Sequence, residues 1–182
     1  MADGNHELSQ FLLERGASPN VLVEPGMPAV AWAIQNDDPV LLEQVLTKGA
    51  DVTVESKVGK PVHLAMLSGD VNTIDRLLTL GASPDTLSPD GVRLGVTAMD
   101  LERPDLARRL LQVGADPNLR GRETPSLLET AFSNLDQDTW ELGMRMGGDL
   151  SKSTTTGKTM LEHAVEDGDI DWMNLLLAYG AD

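Results

Sequence analysis

Apolar residues recur along the chain in paired bursts, each too brief for one long helix and spaced for two short ones. The clearest pair runs from Pro61 to Ala82. Leu64, Ala65 and Met66 give a first helix its apolar face, and Pro61 suits its opening turn because the N–H it lacks would be unpaired there. A polar turn, Ser68-Gly69-Asp70, follows. Ile74, Leu77 and Leu78 then return at three- and four-residue spacing up to Gly81, a residue able to end a helix in left-handed backbone. The pattern predicts helix, turn and helix, with very little strand.

The unit repeats. Glycines that close the second helix stand at 16, 49, 81, 114, 147 and 180, and alanines inside the first helix at 33, 65, 98, 131 and 164. Both series step by 32 or 33 residues. Gly49 to Ala65 is 16 residues where every other glycine-to-alanine step is 17, so one residue is missing from that loop. Such self-similarity predicts stacked units, none of which buries its apolar face alone. We read one domain over 1–182: a half-unit over 5–16, then five fuller units of 32–33 residues. In the half-unit Leu8, Phe11, Leu12 and Leu13 share a helical face among polar neighbours. It is either a solubilising end cap or an edge that docks elsewhere.

The repeating segments resemble the ankyrin family. Pro61-Val62-His63-Leu64-Ala65 is the best copy of its first-helix motif, and Gly157-Lys158-Thr159-Met160-Leu161-Glu162-His163-Ala164 keeps the threonine. Leu-Leu pairs at 12–13, 77–78, 110–111 and 176–177 precede Gly-Ala-Ser or Gly-Ala-Asp. The resemblance implies an all-α solenoid of stacked helix-turn-helix units with short hairpin loops. It also implies protein recognition through loop tips and the concave face of the first helices. On that register the concave positions are Gln35, Asn36, Leu67, Ser68, Asp100, Leu101, Ser133, Asn134, Glu166 and Asp167. The loop-tip candidates are Leu22, Glu24, Met27, Lys57, Asp90, Val92, Arg120, Arg122 and Lys158. His63 stands where the family has its signature histidine, expected to hydrogen-bond between neighbouring loops.

Charge narrows the partner. With 14 basic against 29 acidic residues the net charge is −15, which repels nucleic-acid phosphates and anionic membranes and favours a protein partner with a basic surface. A well-solvated surface would carry the same charge. No cysteine is present and no apolar run is long enough to span a membrane. Cytoplasm is the default location, with secretion through an uncleaved signal left open, and the chain is expected to be monomeric in isolation. It is either a complete small protein or the excised array of a larger one.

Local departures from the repeat mark places to inspect. Gly95 replaces a first-helix leucine of the family pattern, and Gly143 sits inside a second helix where its siblings have Leu or Val. Gly143 is expected to leave a space that Trp140 and Met144 partly refill. With the turn glycine also absent at Ser133-Asn134-Leu135-Asp136, the fourth full unit is expected to be the weakest. Six arginines between Arg93 and Arg122 either pair with Asp100, Glu102, Asp105 and Asp116 or, through Arg120 and Arg122, hold a carboxylate or phosphate.

Chemistry is harder to find. Ser153-Thr154-Thr155-Thr156-Gly157-Lys158-Thr159 resembles the end of a phosphate-binding loop, but Lys152 stands where the first glycine is needed. Asp167-Gly168-Asp169-Ile170-Asp171 starts like a calcium loop, but Trp172 and Ala178 occupy the required glycine and glutamate positions. The three histidines lie far apart, and no nucleophile has a base in register. The expectation is therefore no catalytic residue, no cofactor and no metal. What remains is a non-enzymatic adaptor or scaffold, or alternatively an acidic inhibitor or decoy that occupies a basic site on an enzyme or nucleic-acid-binding protein.

Overall fold

The computed structural model describes residue 11 and residues 15–182. Among them are ten helices and one two-stranded hairpin, and the chain divides between Pro89 and Asp90 into two compact units. The half-unit expected over 5–16 lies almost wholly outside the described residues.

In the first unit β1 (Leu22–Glu24) and β2 (Met27–Pro28) pair antiparallel around Gly26. They lead into α1 (Ala29–Gln35) and α2 (Pro39–Thr47), followed by α3 (Pro61–Ser68) and α4 (Val71–Thr79). α1 packs on α2, α3 on α4, and α1 also lies against α3. The second unit holds α5 (Leu94–Asp100), α6 (Pro104–Gln112), α7 (Leu127–Ser133), α8 (Gln137–Arg145), α9 (Met160–Asp167) and α10 (Ile170–Ala178). Here too each first helix packs on the second that follows it, with α5 beside α7 and α6 beside α8. The fold is thus mostly helical, as the apolar pattern predicts.

The two helix types bury different amounts of themselves. Ala29 to Ile34 of α1 and Pro61 to Met66 of α3 are buried without interruption, because a first helix touches both its own partner and the neighbouring first helix. Second helices keep one wet face. α6 buries Leu106, Ala107, Leu110 and Leu111 and leaves Asp105, Arg109 and Gln112 exposed, the stripe expected of an amphipathic helix. In α2 Leu41, Val45 and Leu46 are buried, while Val40 in its first turn is 54% exposed.

Every inter-helix turn passes through left-handed backbone, at Asp37 (φ 51°), Gly69 (72°), Glu102 (56°), Leu135 (56°) and Gly168 (70°). The turn geometry survives the loss of glycine in three of the five. Directly after it an aspartate caps four of the second helices: Asp38 accepts from Leu41 N at 2.9 Å, Asp70 from Thr73 N at 3.2 Å, Asp136 from Thr139 N at 3.1 Å and Asp169 from Trp172 N at 3.0 Å. Each satisfies a backbone donor that the helix cannot. α6 has Arg103 at this place, with no side-chain cap.

The space expected at Gly143 is filled, and not by Trp140 or Met144. A Cβ there would stand 2.9 Å from Leu128 Cδ1 and 3.5 Å from Pro117 Cβ. Within this repeat a large residue on the first helix meets a small one on the second. Gly95 is likewise a close approach, since its Cβ would meet Leu127 Cδ2 at 2.8 Å. Four of the chain's six aromatic residues gather α7, α8 and α10 around one core: Phe132 on Trp172 at 4.9 Å, Trp172 on Trp140 at 5.2 Å, and Trp140 on Tyr179 at 5.2 Å, all edge to face. Trp140 Nε1 donates to Met160 Sδ of α9 at 3.4 Å.

The two near-motifs resolve into loop structure. Thr154 N donates to Lys158 O across a turn with Gly157 at φ 86°, and Thr159 opens α9 through a reciprocal cap with Glu162. Asp167-Gly168-Asp169 is the α9–α10 turn.

Candidate functional site

A first helix of seven or eight residues makes two turns, and its burial stops where the turn residue lifts the chain away from the core. The last two positions of this rise emerge at each repeat. Gln35 and Asn36, Leu67 and Ser68, Asp100 and Leu101, Ser133 and Asn134, and Glu166 and Asp167 are all exposed. Leu67 is 53% exposed, the most solvated apolar side chain among them.

The loop positions divide. Leu22, Glu24, Lys57, Asp90, Arg122 and Lys158 are exposed, and Val92 is half-buried. Met27 departs from expectation: it lies in β2, is 8% exposed and belongs to the core beneath the hairpin rather than to its tip. Lys57 lays its stem over Gly26, where a Cβ would come within 2.8 Å of Lys57 Cε. Lys158 is held by Glu166, with Nζ 2.6 Å from each carboxylate oxygen.

Arg120 also has internal partners. Its Nε lies 3.0 Å from Glu129 Oε2, its Nη2 bonds Glu129 Oε1, and the same nitrogen reaches the carbonyl of Ser153. Glu129 is buried and also accepts from Ser126 N at 2.7 Å within the α7 capping box. The guanidinium therefore fastens the loop before α7 to α7 and to the hairpin before α9. Arg103 pairs with Asp105 and Arg108 with Asp136, at 3.0 and 3.6 Å. All three are paired, but only Arg103 with an acid expected from sequence, Asp105; Arg108 and Arg120 reach Asp136 and Glu129 instead.

Two clefts open along the first-helix ends, one in each unit. In the first unit a volume of about 350 Å³ lies between Ile34, Gln35 and Leu42 on one side and Ser68, Asp70 and Thr73 on the other. In the second unit about 300 Å³ lies between Phe132, Ser133 and Leu135 and the wall of His163, Asp167 and Trp172, closed above by Thr154, Thr155 and Thr156. The two are equivalent in register. Ile34 corresponds to Phe132, Gln35 to Ser133, Ser68 to Asp167 and Thr73 to Trp172.

His163 builds the upper wall of the second cleft, its Nε2 lying 3.0 Å from Thr154 Oγ1 and 2.7 Å from Thr156 Oγ1. His63 is buried beneath Gly59, whose Cβ would meet the ring at 2.9 Å. Asp100 keeps an exposed edge, yet the water its surroundings remove pushes its carboxyl above the usual carboxylate range. Phe132, Leu135, His163 and Trp172 were not among the positions expected from sequence. Trp172 carried a signal, since Leu41, Thr73, Leu106 and Thr139 hold its place in the other repeats.

Among the described residues no three His, Asp or Glu side chains gather where they could hold a metal ion, and no helix is long and apolar enough to cross a membrane. No family model matches the chain. Over 126 residues it is 29% identical to the B-cell lymphoma 3 protein homolog of Mus musculus, a match covering 66% of this chain and 28% of the relative. Over 115 residues it is 30% identical to the B-cell lymphoma 3 protein of Homo sapiens, covering 60% and 25%. The chain thus spans about a quarter of the length of the curated relatives it matches, and most of it is similar to one stretch of those proteins.

Proposed function

We propose that the chain is a non-enzymatic, ankyrin-type module that binds a protein partner with a basic surface through the exposed ends of its first helices and its loop tips. The observation that carries this reading is the set of five exposed residue pairs, repeated every 32 or 33 residues and including Leu67, an apolar side chain 53% exposed. A regular scaffold that presents variable side chains at fixed intervals is suited to recognising an extended or irregular surface. The 33-residue step continues through the division at Pro89, which supports reading the units as one array. Met27 and Arg120 drop out of the proposed surface because the core and Glu129 engage them.

The test begins with proteins captured on the immobilised chain and identified by mass spectrometry, whose affinities are then measured by calorimetry with single variants. Leu67→Arg and Asp100→Arg are each expected to weaken binding at least tenfold, while Gln112→Arg and Asp138→Arg on second helices change it less than twofold. The reverse ranking would place the partner on the second helices. Affinity that survives added salt, with a negative binding heat capacity, favours apolar recognition; affinity that collapses with salt favours the acidic decoy.

A further inference from the structure

The cleft of the second unit differs from its counterpart in the first by its floor. Phe132 and Trp172 meet there at 4.9 Å and 77°, where the first unit has Ile34 and Thr73. Its mouth carries Asp167, Ser133, Leu135 and Thr155.

Two of these residues stand where local rules disfavour them. Asp167 places a carboxylate in the last turn of α9, the end of a helix at which the backbone dipole disfavours negative charge. It has no hydrogen-bond or ion-pair partner among the described residues, whereas Glu166 beside it is held by Lys158. Leu135 puts a branched apolar side chain, 65% exposed, on left-handed backbone where sibling turns use Gly69, Gly168, Asp37 and Glu102, none of them apolar and branched. Both line the same cleft, and local rules tend to be broken where function intervenes.

An aromatic floor, an apolar lip and an unpaired carboxylate at the mouth together describe the complement of one side chain. A guanidinium stacks on an aromatic face, forks onto a carboxylate and trails an aliphatic stem that Leu135 would cover. The net charge of −15 draws such a group in. We propose that this cleft is a specificity pocket that takes the arginine side chain of an extended segment in a basic protein partner. The proposal rests on the protein-binding reading above and adds the chemistry of one contact to it. In the first-unit cleft Asp38 and Asp70 are engaged in capping; Asp37 adds a carboxylate at the place of Leu135, but no aromatic residue lines the floor, so that cleft serves as an internal control for the aromatic floor and the apolar lip.

The probe is a set of capped pentapeptides, acetyl-Ala-Gly-Xaa-Gly-Ala-amide, with arginine, lysine, citrulline or norleucine at Xaa, titrated into the ¹⁵N-labelled chain. The arginine peptide is expected to bind in the millimolar range, since one side chain offers few contacts. It should move the amides of 132–135, 154–156 and 163–172 and leave those around Ser68 unmoved. Citrulline, which keeps the shape without the charge, and norleucine should bind at least tenfold more weakly, and lysine at least threefold. Asp167→Asn should weaken the arginine peptide at least fivefold, and Asp138→Asn should not. Equal binding of citrulline or norleucine, shifts scattered over acids outside the cleft, or an indifferent Asp167→Asn variant would each overturn the pocket; equal binding of lysine would overturn its selectivity for guanidinium. If the peptides fail while captured partners remain sensitive to Leu67→Arg, the pocket is wrong and the binding module stands. If the arginine peptide binds as described while partners ignore every first-helix variant, the pocket stands and the module reading falls.

Discussion

Leu135 adopts a backbone conformation that costs a branched L-residue about 1 kcal/mol or more, and with most of its side chain in solvent it recovers little through burial. Leu135→Asn should therefore raise stability in urea unfolding by about 0.5 kcal/mol, since asparagine tolerates that region better; a loss of stability would show that the exposed leucine packs in solution. Arg120 and Arg122 stand two residues apart and looked alike as candidate anion ligands. The structure separates them. Arg120→Ala strips charged donors from the buried Glu129 and should cost about 2 kcal/mol, while Arg122→Ala should stay within about 0.5 kcal/mol. Equal effects would refute the distinction. Sequence could not separate them because the acid that matters, Glu129, lies nine positions along and inside a helix. Met27 misled for a related reason: its place beside a Pro-Gly turn is legible, but which face of a two-residue strand turns inward is not.

At the scale of the element, the start of a second helix is legible in four of the five cases, because an aspartate before a helical apolar pattern has one dominant use. Asp70 shows its pH consequence. The Thr73 hydroxyl at 2.6 Å, aided by the amides of Asn72 and Thr73, holds its carboxyl below the usual range. A depressed folded pKa means that the unfolded chain binds more protons between the two values. The stabilisation is therefore complete above the unfolded value, about 3.9, and is lost as pH falls through the lower folded value. Asp70→Asn should flatten the acid limb of a stability–pH curve, and an unchanged limb would show that the cap contributes nothing. Asp100 carries the opposite sign. Its carboxyl is raised by desolvation, so its charged form is a liability at neutral pH, and Asp100→Asn should stabilise the protein at pH 7 more than at pH 3. Gly143 shows where reading by element stops. Its siblings predict a void, and only the opposing helix reveals that Leu128 has moved into the space.

Across the molecule, length and period were legible because they need only counting, whereas the aromatic core of the second unit was not, since Phe132 and Trp140 sit in one repeat, Trp172 and Tyr179 in the next, and the ring contacts run between the two. That core bears on the order of opening. The fourth full unit looked weakest from its glycine and its turn, yet Trp140 is fully buried among three neighbours. Hydrogen exchange should find α8 protected at least as well as α4; faster exchange in α8 would show that the strained turn at Leu135 outweighs the packing. The same rings give the chain an optical consequence. Two indoles held nearly perpendicular at 5.2 Å should couple excitonically and give the second unit a near-ultraviolet circular dichroism couplet, while Trp32 is the single indole of the first unit and emits apart from that pair. Unfolding followed at once by the couplet and by Trp32 emission, with Trp32→Phe as the blank, would give each unit its own melting curve without any added label, and the gap between the two midpoints would measure how strongly one unit's order depends on the other's.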